Sequence, residues 1–233
     1  MKTLIKILAG LVVVVVFASC SVYQHVRLAS DTQKNEQSAF VIDNDSINIM
    51  YSFYGQGGPI YMELFNKLDK PFYIDWGKSS LIINGQSFSL WKDEARMSGT
   101  STEFKIIPQN DIVNSISNID GSIVRNDKVT FIPPQSKIVV NSYTLHSTFF
   151  NTPEQAGEKM KFYTTQGKRE ARKFSFSKED SPLNFRIFLS LSMDESFNKP
   201  FHFDNSFWVS DYFTTSATPK ALGVCPGNQF YIY

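Results

Sequence analysis

The chain has 233 residues, with 23 Lys and Arg against 22 Asp and Glu, and aromatic residues form 15% of it. A formal net charge of +1 provides no long-range field to attract nucleic acid or an anionic surface, so the composition predicts neither as a partner. The 21 Phe residues favour β-strands, whose half-buried surfaces accommodate aromatic rings.

The N-terminal segment has the layout of a secretory signal. Lys2 and Lys6 provide a positive start, and residues 7–17 form an apolar run. This run is shorter than the roughly 20 apolar residues that a membrane-spanning helix needs. We therefore predict a cleaved signal peptide over residues 1–19.

The signal ends in Phe17-Ala18-Ser19-Cys20, which resembles the lipobox of bacterial lipoproteins, with Phe17 in place of the usual Leu. The resemblance implies that a diacylglyceryl group is attached to the Cys20 thiol and that the chain is cleaved before Cys20. It also implies acylation of the new N-terminus, with palmitate as an expected fatty acid. Two alternatives stay open: an ordinary signal peptide cleaved near Ala18 or Ser19, which leaves Cys20 as a free thiol, and an uncleaved membrane helix.

The mature chain divides into a tether and a folded domain by its patterning. Residues 20–45 are polar and weakly patterned, so we predict a lipidated N-terminus and tether there, with one short strand near residues 39–42. Period-2 alternation begins at Ser46, and residues 46–233 are long enough to bury one core. Removal of the signal leaves 21 basic against 22 acidic residues.

The strongest local signal is Asn84-Gly85 between the apolar positions of residues 79–83 and 86–90. Both turn residues tolerate the positive φ of a type I′ turn, so this segment predicts a tight β-hairpin. Alternating or aromatic-rich runs bounded by Gly, Pro, Asn and Asp predict further strands. These predicted strands cover residues 46–53, 60–65, 72–76, 103–107, 128–132, 137–145, 173–177, 184–193, 207–212 and 228–233.

Two segments lack a strand pattern. Residues 111–117 fit a short helix, and the charged residues 151–172 predict a loop or a short helix. Turn signals recur every ten or so residues elsewhere, and no internal repeat is visible. The sequence therefore predicts an all-β protein, a single antiparallel β-sandwich (Ig-like) domain after a lipoprotein signal peptide and polar tether.

Few residues suggest chemistry. His25, His146 and His202 are far apart in sequence, and no zinc-ligand spacing, nucleophile motif or phosphate-binding glycine loop is recognisable. Cys225 has no disulfide partner if Cys20 carries lipid. A small buried thiol near the C-terminal edge of the core is the favoured interpretation of Cys225, with an intermolecular link or a reactive group as alternatives. We predict no catalytic residue, no metal and no cofactor.

Two further patterns have both a structural and a functional interpretation. In Phe201-His202-Phe203-Asp204, the spacing could place His202 and Asp204 on one face of a strand, and a polar strand face is favoured over a catalytic pair. Tyr73, Trp91 and Trp208 lie in or beside predicted strands. Core packing is the favoured interpretation of these rings, and a carbohydrate or protein contact surface is the alternative.

Residues 50–91 resemble a group of small Bacteroidetes envelope lipoproteins of unknown function. The resemblance rests on Gly57-Gly58, on Asn66-Lys67-Leu68-Asp69-Lys70 and on the hairpin from Ser79 to Gly85. Because these are turn motifs, the resemblance implies fold and location and no catalytic role. In such bacteria, the resemblance implies that lipoproteins exported to the cell surface carry acidic residues just after the lipidated Cys. Ser21-Val22-Tyr23-Gln24 lacks them, which implies a periplasm-facing protein anchored to the outer membrane.

These expectations converge on a membrane-anchored envelope lipoprotein that acts as a non-enzymatic binding or assembly module. Its predicted partners are the membrane, through the N-terminal lipid, and an envelope protein or glycan. An envelope polysaccharide-active hydrolase is the alternative, and a carboxylate pair in a deep cleft would favour it. A structural or stress-induced lipoprotein without a dedicated ligand is a third interpretation. A concave pocket with converging polar groups would distinguish these classes.

Overall fold

The computed structural model describes residues 22–91, 96–99, 121–124 and 127–233. The predicted signal peptide, Cys20, the strand at 103–107 and the helix at 111–117 lie outside these residues. The described strands are β1 Tyr23–Ser30, β2 Gln33–Lys34, β3 Phe40–Asp43, β4 Ile47–Ser52, β5 Pro59–Asn66, β6 Phe72–Asp75, β7 Ser80–Ile83, β8 Gln86–Ser89, β9 Arg96–Gly99, β10 Gly121–Val124, β11 Val129–Ile132, β12 Lys137–Thr144, β13 Glu158–Thr164, β14 Gly167–Ser175, β15 Asn184–Ser192, β16 Phe201–Thr215 and β17 Gln229–Ile232. Short 3₁₀ helices lie at Glu154–Ala156 and Pro219–Leu222.

The strands form two large antiparallel sheets and one separate two-stranded pair. Sheet A has the order β11-β6-β15-β16-β1-β17, with β7 and β8 beside β15 and the β13–β14 hairpin beside β16. Sheet B has the order β12-β5-β4-β3-β2, and β9 pairs with β10. The prediction of an all-β antiparallel sandwich is confirmed, because these sheets are not closed into a barrel.

The two sheets pack face to face through aromatic side chains. Phe207 on β16 of sheet A lies 5.3 Å from Phe40 and 5.4 Å from Tyr51, both on sheet B, between ring centroids. Phe53, just after β4, lies 5.2 Å from Phe207, and Phe185 on β15 stacks on Phe207 at 5.1 Å. Edge-to-face rings at these separations attract through their quadrupoles in addition to burying apolar area. Phe207 is therefore the centre of the interface between the sheets.

The predicted hairpin at Asn84-Gly85 is confirmed. Ile83 pairs with Gln86 across the turn between β7 and β8. Asn84 has φ of 49° and Gly85 has φ of 82°, as a type I′ turn requires. Because no atom lies within 4 Å of a side chain built at Gly85, only its backbone conformation constrains the residue there.

We expect Gly85→Val to lower the free energy of unfolding by more than about 1 kcal/mol, because a β-branched residue resists positive φ. Gly85→Asn is the matched control. Asparagine tolerates the left-handed conformation, so we expect it to lose less than half as much stability. Urea unfolding of the two variants measures the difference, and equal losses would contradict the turn assignment.

The prediction of a polar tether over residues 20–45 is wrong from Tyr23 onward. Residues Tyr23–Ser30 form β1, which lies between β16 and the edge strand β17 in sheet A. The buried Gln24 amide donates a hydrogen bond to the Phe150 carbonyl at 3.0 Å and accepts one from the Phe150 N–H at 2.8 Å. Gln24 is a buried polar residue, so β1 lacks the apolar alternation of a typical half-buried strand. Its amide is hydrogen-bonded to a segment that is distant in sequence. The short strand expected near residues 39–42 is present as β3.

Residues 151–172 were expected to form a loop or a short helix, and most of them instead form strands. The β13–β14 hairpin pairs from Glu158 with Lys173 to Thr164 with Gly167. On one face of this hairpin Met160 is partly buried and Phe162 is buried, whereas Lys159 and Lys161 on the other face are exposed. This alternation is short and lies among many charged residues, which favoured a loop over a strand in the sequence. The strand predicted at residues 207–212 is also longer than expected, since β16 covers the 15 residues from Phe201 to Thr215.

Candidate functional site

A groove lies on the outer face of sheet B, away from the core. Its floor includes Met50 and Ser52 of β4, Tyr61 of β5 and Asn141 of β12. Tyr61 pairs with Ser52 on one side and with Asn141 on the other, so these three side chains project from one row of the sheet. The groove has a volume of about 430 Å³. This is the size of a small-molecule or oligosaccharide subsite rather than of a gap between side chains.

The first wall of the groove is the turn between β2 and β3. Asn35 fixes this turn, because its backbone N–H donates to the Ala39 carbonyl at 2.9 Å and its side-chain oxygen accepts from the Ala39 N–H at 2.9 Å. Ser38 has φ of 59°, which closes the turn tightly. Gln37, at its tip, is exposed and lines the groove.

The second wall is the segment before β17, and Gly227 holds it against the first. The Gly227 N–H donates to the Gln37 carbonyl at 2.8 Å, and the Phe53 N–H donates to the Gly227 carbonyl at 2.7 Å. A methyl group on Gly227 would lie 2.8 Å from the Cα and 2.9 Å from the backbone nitrogen of Ala39. Glycine is therefore required here by close approach of two backbones rather than by a turn.

Tyr54 and Cys225 meet at one end of the groove. Burial raises the pKa of the Tyr54 hydroxyl to about 12, and its hydrogen bond with Cys225 acts in the same direction. Tyr54 is therefore a neutral phenol at physiological pH, and its hydroxyl forms a hydrogen bond with Cys225. Cys225 is exposed, so the prediction of a thiol buried in the core is wrong. Its segment forms the rim of the groove and crosses the surface instead of entering the core.

The residues that line the groove, within the described part of the chain, are all uncharged. They are Asn35, Gln37, Ala39, Met50, Ser52, Tyr54, Pro59, Tyr61, Asn141, Cys225 and Gly227. The amides both donate and accept hydrogen bonds, the hydroxyl groups do the same, and the two tyrosine rings offer flat apolar surfaces. This combination suits a neutral ligand rich in hydroxyl or amide groups, and it provides no ion pair for a charged one.

The aromatic residues singled out in the sequence lie elsewhere. Tyr73 packs against Phe131 at 5.4 Å, and Trp208 is covered by the Lys178 ammonium at 5.0 Å. Trp91 lies below the Lys128 ammonium at 5.7 Å. The groove tyrosines were missed, although they carry a signal: Tyr61 occupies an outward-facing position of a strand, where a polar residue is usual.

The three histidines occupy separate environments. His25 is buried and its Nε2 lies 3.1 Å from the Ala217 carbonyl oxygen, and burial lowers its pKa. His146 stacks on Phe150 at 4.3 Å, and partial burial lowers its pKa as well. His202 lies exposed on β16, stacked on Phe188 at 5.0 Å. Within the described ranges, no group of three or more His, Cys, Asp or Glu side chains is placed to hold a metal ion.

The buried carboxylates belong to ion pairs outside the groove. Asp75 lies 3.5 Å from the Lys78 ammonium and accepts a hydrogen bond from the Gly77 N–H at 2.9 Å. Asp211 lies 3.5 Å from Arg27 and 3.7 Å from Lys173. On β16, the Asp204 carboxylate is exposed and lies 2.6 Å from the Arg186 guanidinium.

Comparison of the chain with protein-family models, curated proteins and solved structures found no match. Among the residues that the structure describes, no helix has the length and apolar character needed to cross a membrane. The groove and the predicted N-terminal lipid are therefore the two features of this protein that indicate a function.

Proposed function

We propose that this protein is a lipid-anchored lipoprotein of the cell envelope that binds a neutral polar ligand, such as an envelope glycan, in the groove on sheet B. The observation that carries the proposal is the uncharged lining, which combines amide and hydroxyl groups with two tyrosine rings. Such a surface binds sugars through hydrogen bonds at their edges and ring contacts at their faces. We propose no chemical step, because the described lining includes no carboxylate pair of the kind glycoside hydrolysis uses.

The proposed anchor is the lipid on Cys20, supported by the lipobox-like sequence. We propose attachment to the outer membrane with the protein facing the periplasm, since residues 21–24 include no acidic residue. Two or three acyl chains hold a protein durably, because each buried methylene contributes about 0.8 kcal/mol and one chain alone binds only marginally.

Mass spectrometry of the protein purified from membranes tests the anchor. We expect a mature N-terminus at Cys20 that carries a diacylglyceryl group and an additional fatty acid. Cys20→Ser is expected to block processing and lipidation, and Cys225→Ser is the matched thiol control that leaves both intact. An unmodified Cys20 in the wild-type protein would contradict the proposal.

The rate of Cys225 alkylation by a maleimide tests the groove, because this thiol lies on its rim. We expect at least one neutral oligosaccharide from a panel of glucose, mannose and xylose oligomers to slow the reaction as it fills the groove. Tyr61→Ala removes one ring contact, worth about 1 kcal/mol, and should weaken that protection about fivefold. Tyr73→Ala, distant from the groove, is the control. If no oligosaccharide slows alkylation or binds by calorimetry, the proposed ligand class is wrong.

A further inference from the structure

The β13–β14 hairpin projects beyond the end of sheet A at which β1 begins. Tyr23 pairs with Thr215 at the end of β16, and Lys173 of β14 pairs with Phe213 of the same strand. If the β14–β16 register continues by two residues, Ala171 of β14 lies opposite Thr215 and thus at the same position along the sheet as Tyr23. The tip of the hairpin is four residues further on, which at about 3.3 Å per residue extends it roughly 13 Å past the start of β1.

The hairpin is fixed to the body of the protein. The Phe162 ring on β13 is buried and lies 5.1 Å from Phe213, which in turn stacks on His25 of β1 at 5.1 Å. At the tip, the Thr165 N–H donates to the Ala221 carbonyl at 2.8 Å. These contacts hold the direction in which the hairpin projects.

One face of this hairpin is strongly basic. Cross-strand pairs place Lys159 opposite Arg172 and Lys161 opposite Glu170, and Lys168 lies on the same face beside Tyr163. Four positive charges thus share the face with Glu170, and Glu154 lies 3.1 Å from Arg172, which leaves a net excess of two positive charges. Lys159 and Lys168 are both exposed, and the Lys161–Glu170 pair at 3.7 Å is also exposed to solvent. The near-neutral charge of the whole chain conceals this local excess.

Exposed apolar and aromatic residues gather at the same end of the molecule. Tyr163 near the hairpin tip is 76% exposed, and Tyr233, directly after β17, is 63% exposed. Val22, before β1, and Val224, just after the 3₁₀ helix that supports the tip, are exposed as well. Tyrosine is enriched at membrane–water interfaces, where its ring is partly desolvated and its hydroxyl stays hydrated.

The length of the chain before β1 places this end near the proposed anchor. Only three residue steps separate Cys20 from Tyr23, which span at most about 10 Å when fully extended. A lipid on Cys20 inserted in a bilayer would therefore hold the start of β1 within about 10 Å of the headgroups. The hairpin extends roughly as far in the same direction, so it would reach the same surface.

We propose that the end of the protein formed by the β13–β14 hairpin and Tyr233 docks on anionic phospholipid headgroups of the membrane that holds the anchor. This inference rests on the proposed Cys20 lipid. The basic face binds the phosphate groups, and Tyr163 lies in the interface. Docking orients the sandwich with its long axis away from the membrane and leaves the groove on sheet B open at the side.

The test uses the lipid-carrying protein purified from membranes and reconstituted into vesicles. Tyr163→Cys in a Cys225→Ser background receives an environment-sensitive fluorophore at the hairpin tip. Vesicles of pure phosphatidylcholine are compared with vesicles that contain about one-third phosphatidylglycerol. We expect a blue-shifted, brighter signal on the anionic vesicles, which high salt abolishes by screening the charges.

Two double variants of equal charge change test the basic face. Lys159→Gln with Lys168→Gln is expected to weaken contact with the anionic vesicles about 25-fold, since each basic residue near such a surface contributes about fivefold. Lys70→Gln with Lys199→Gln changes exposed lysines near the opposite end of sheet A and should alter the contact less than about twofold. Equal losses from the two double variants would overturn the inference, as would equal fluorescence on both vesicle types.

The mass of Cys20 in the same preparation separates this inference from the proposed anchor. A lipid-carrying protein whose hairpin fluorophore responds to anionic vesicles supports both. A lipid-carrying protein whose fluorophore does not respond contradicts the docking alone. An unmodified Cys20 contradicts the anchor together with the docking that rests on it.

Discussion

Phe207→Ala is expected to lower the free energy of unfolding by about 4 kcal/mol, the largest loss we expect from a single substitution. Phe207 is only 1% exposed and its ring contacts four other aromatic rings from both sheets. Truncation removes the apolar area of the ring and leaves a cavity that the surrounding rings fill only partly. Urea-induced unfolding followed by circular dichroism measures the change.

Phe131→Ala is the matched control for this substitution. Phe131 is 50% exposed on β11, so removing its ring should cost less than about 1 kcal/mol. Phe207→Leu keeps most of the volume and should lose much less stability than the alanine variant. Comparable midpoints for Phe207→Ala and Phe131→Ala would contradict the assignment of Phe207 to the centre of the interface.

Gly227→Ala is expected to destabilise the protein by about 2 kcal/mol and to open the groove. The added methyl group would contact the backbone of Ala39 at 2.8 Å, and a backbone cannot rotate away as a side chain can. The two walls must therefore separate, and the Gly227 hydrogen bond to the Gln37 carbonyl must lengthen. Thermal unfolding measures the loss of stability, and a changed rate of Cys225 alkylation reports the displacement of the rim.

Gly77→Ala provides the comparison for Gly227→Ala. A methyl group at Gly77 would meet mainly the flexible end of the Lys128 side chain, which can move aside. We therefore expect a change in unfolding free energy within about 0.5 kcal/mol and no effect on alkylation. If Gly227→Ala were as mild as this, the close contact between the walls would not be the reason for glycine at that position.

Local patterns in the sequence were sufficient to predict the all-β class, several strands and the tight turn of the protein. The alternation in residues 46–53 matches the burial of every second residue in β4, because one face of that strand packs on the core. Asn84-Gly85 determines its turn by itself, because positive φ is a property of the two residues and needs no distant partner. The Cys20 lipid and the cleavage before it stay predictions of the sequence.

Only the tertiary structure decided the position of β1, the form of residues 151–172 and the groove. β1 pairs with β16 and β17, and Tyr23 lies opposite Thr215, so its strand conformation depends on residues near the other end of the chain. The β13–β14 hairpin has only a short alternation, in which Met160 and Phe162 turn towards the body of the protein, and the charged residues around it conceal that pattern. The groove brings together Asn35, Tyr61, Asn141 and Cys225 from four separate parts of the chain. Periodicity reports which face of a strand is buried, whereas a binding surface depends on which strands become neighbours, and long-range pairing alone determines that.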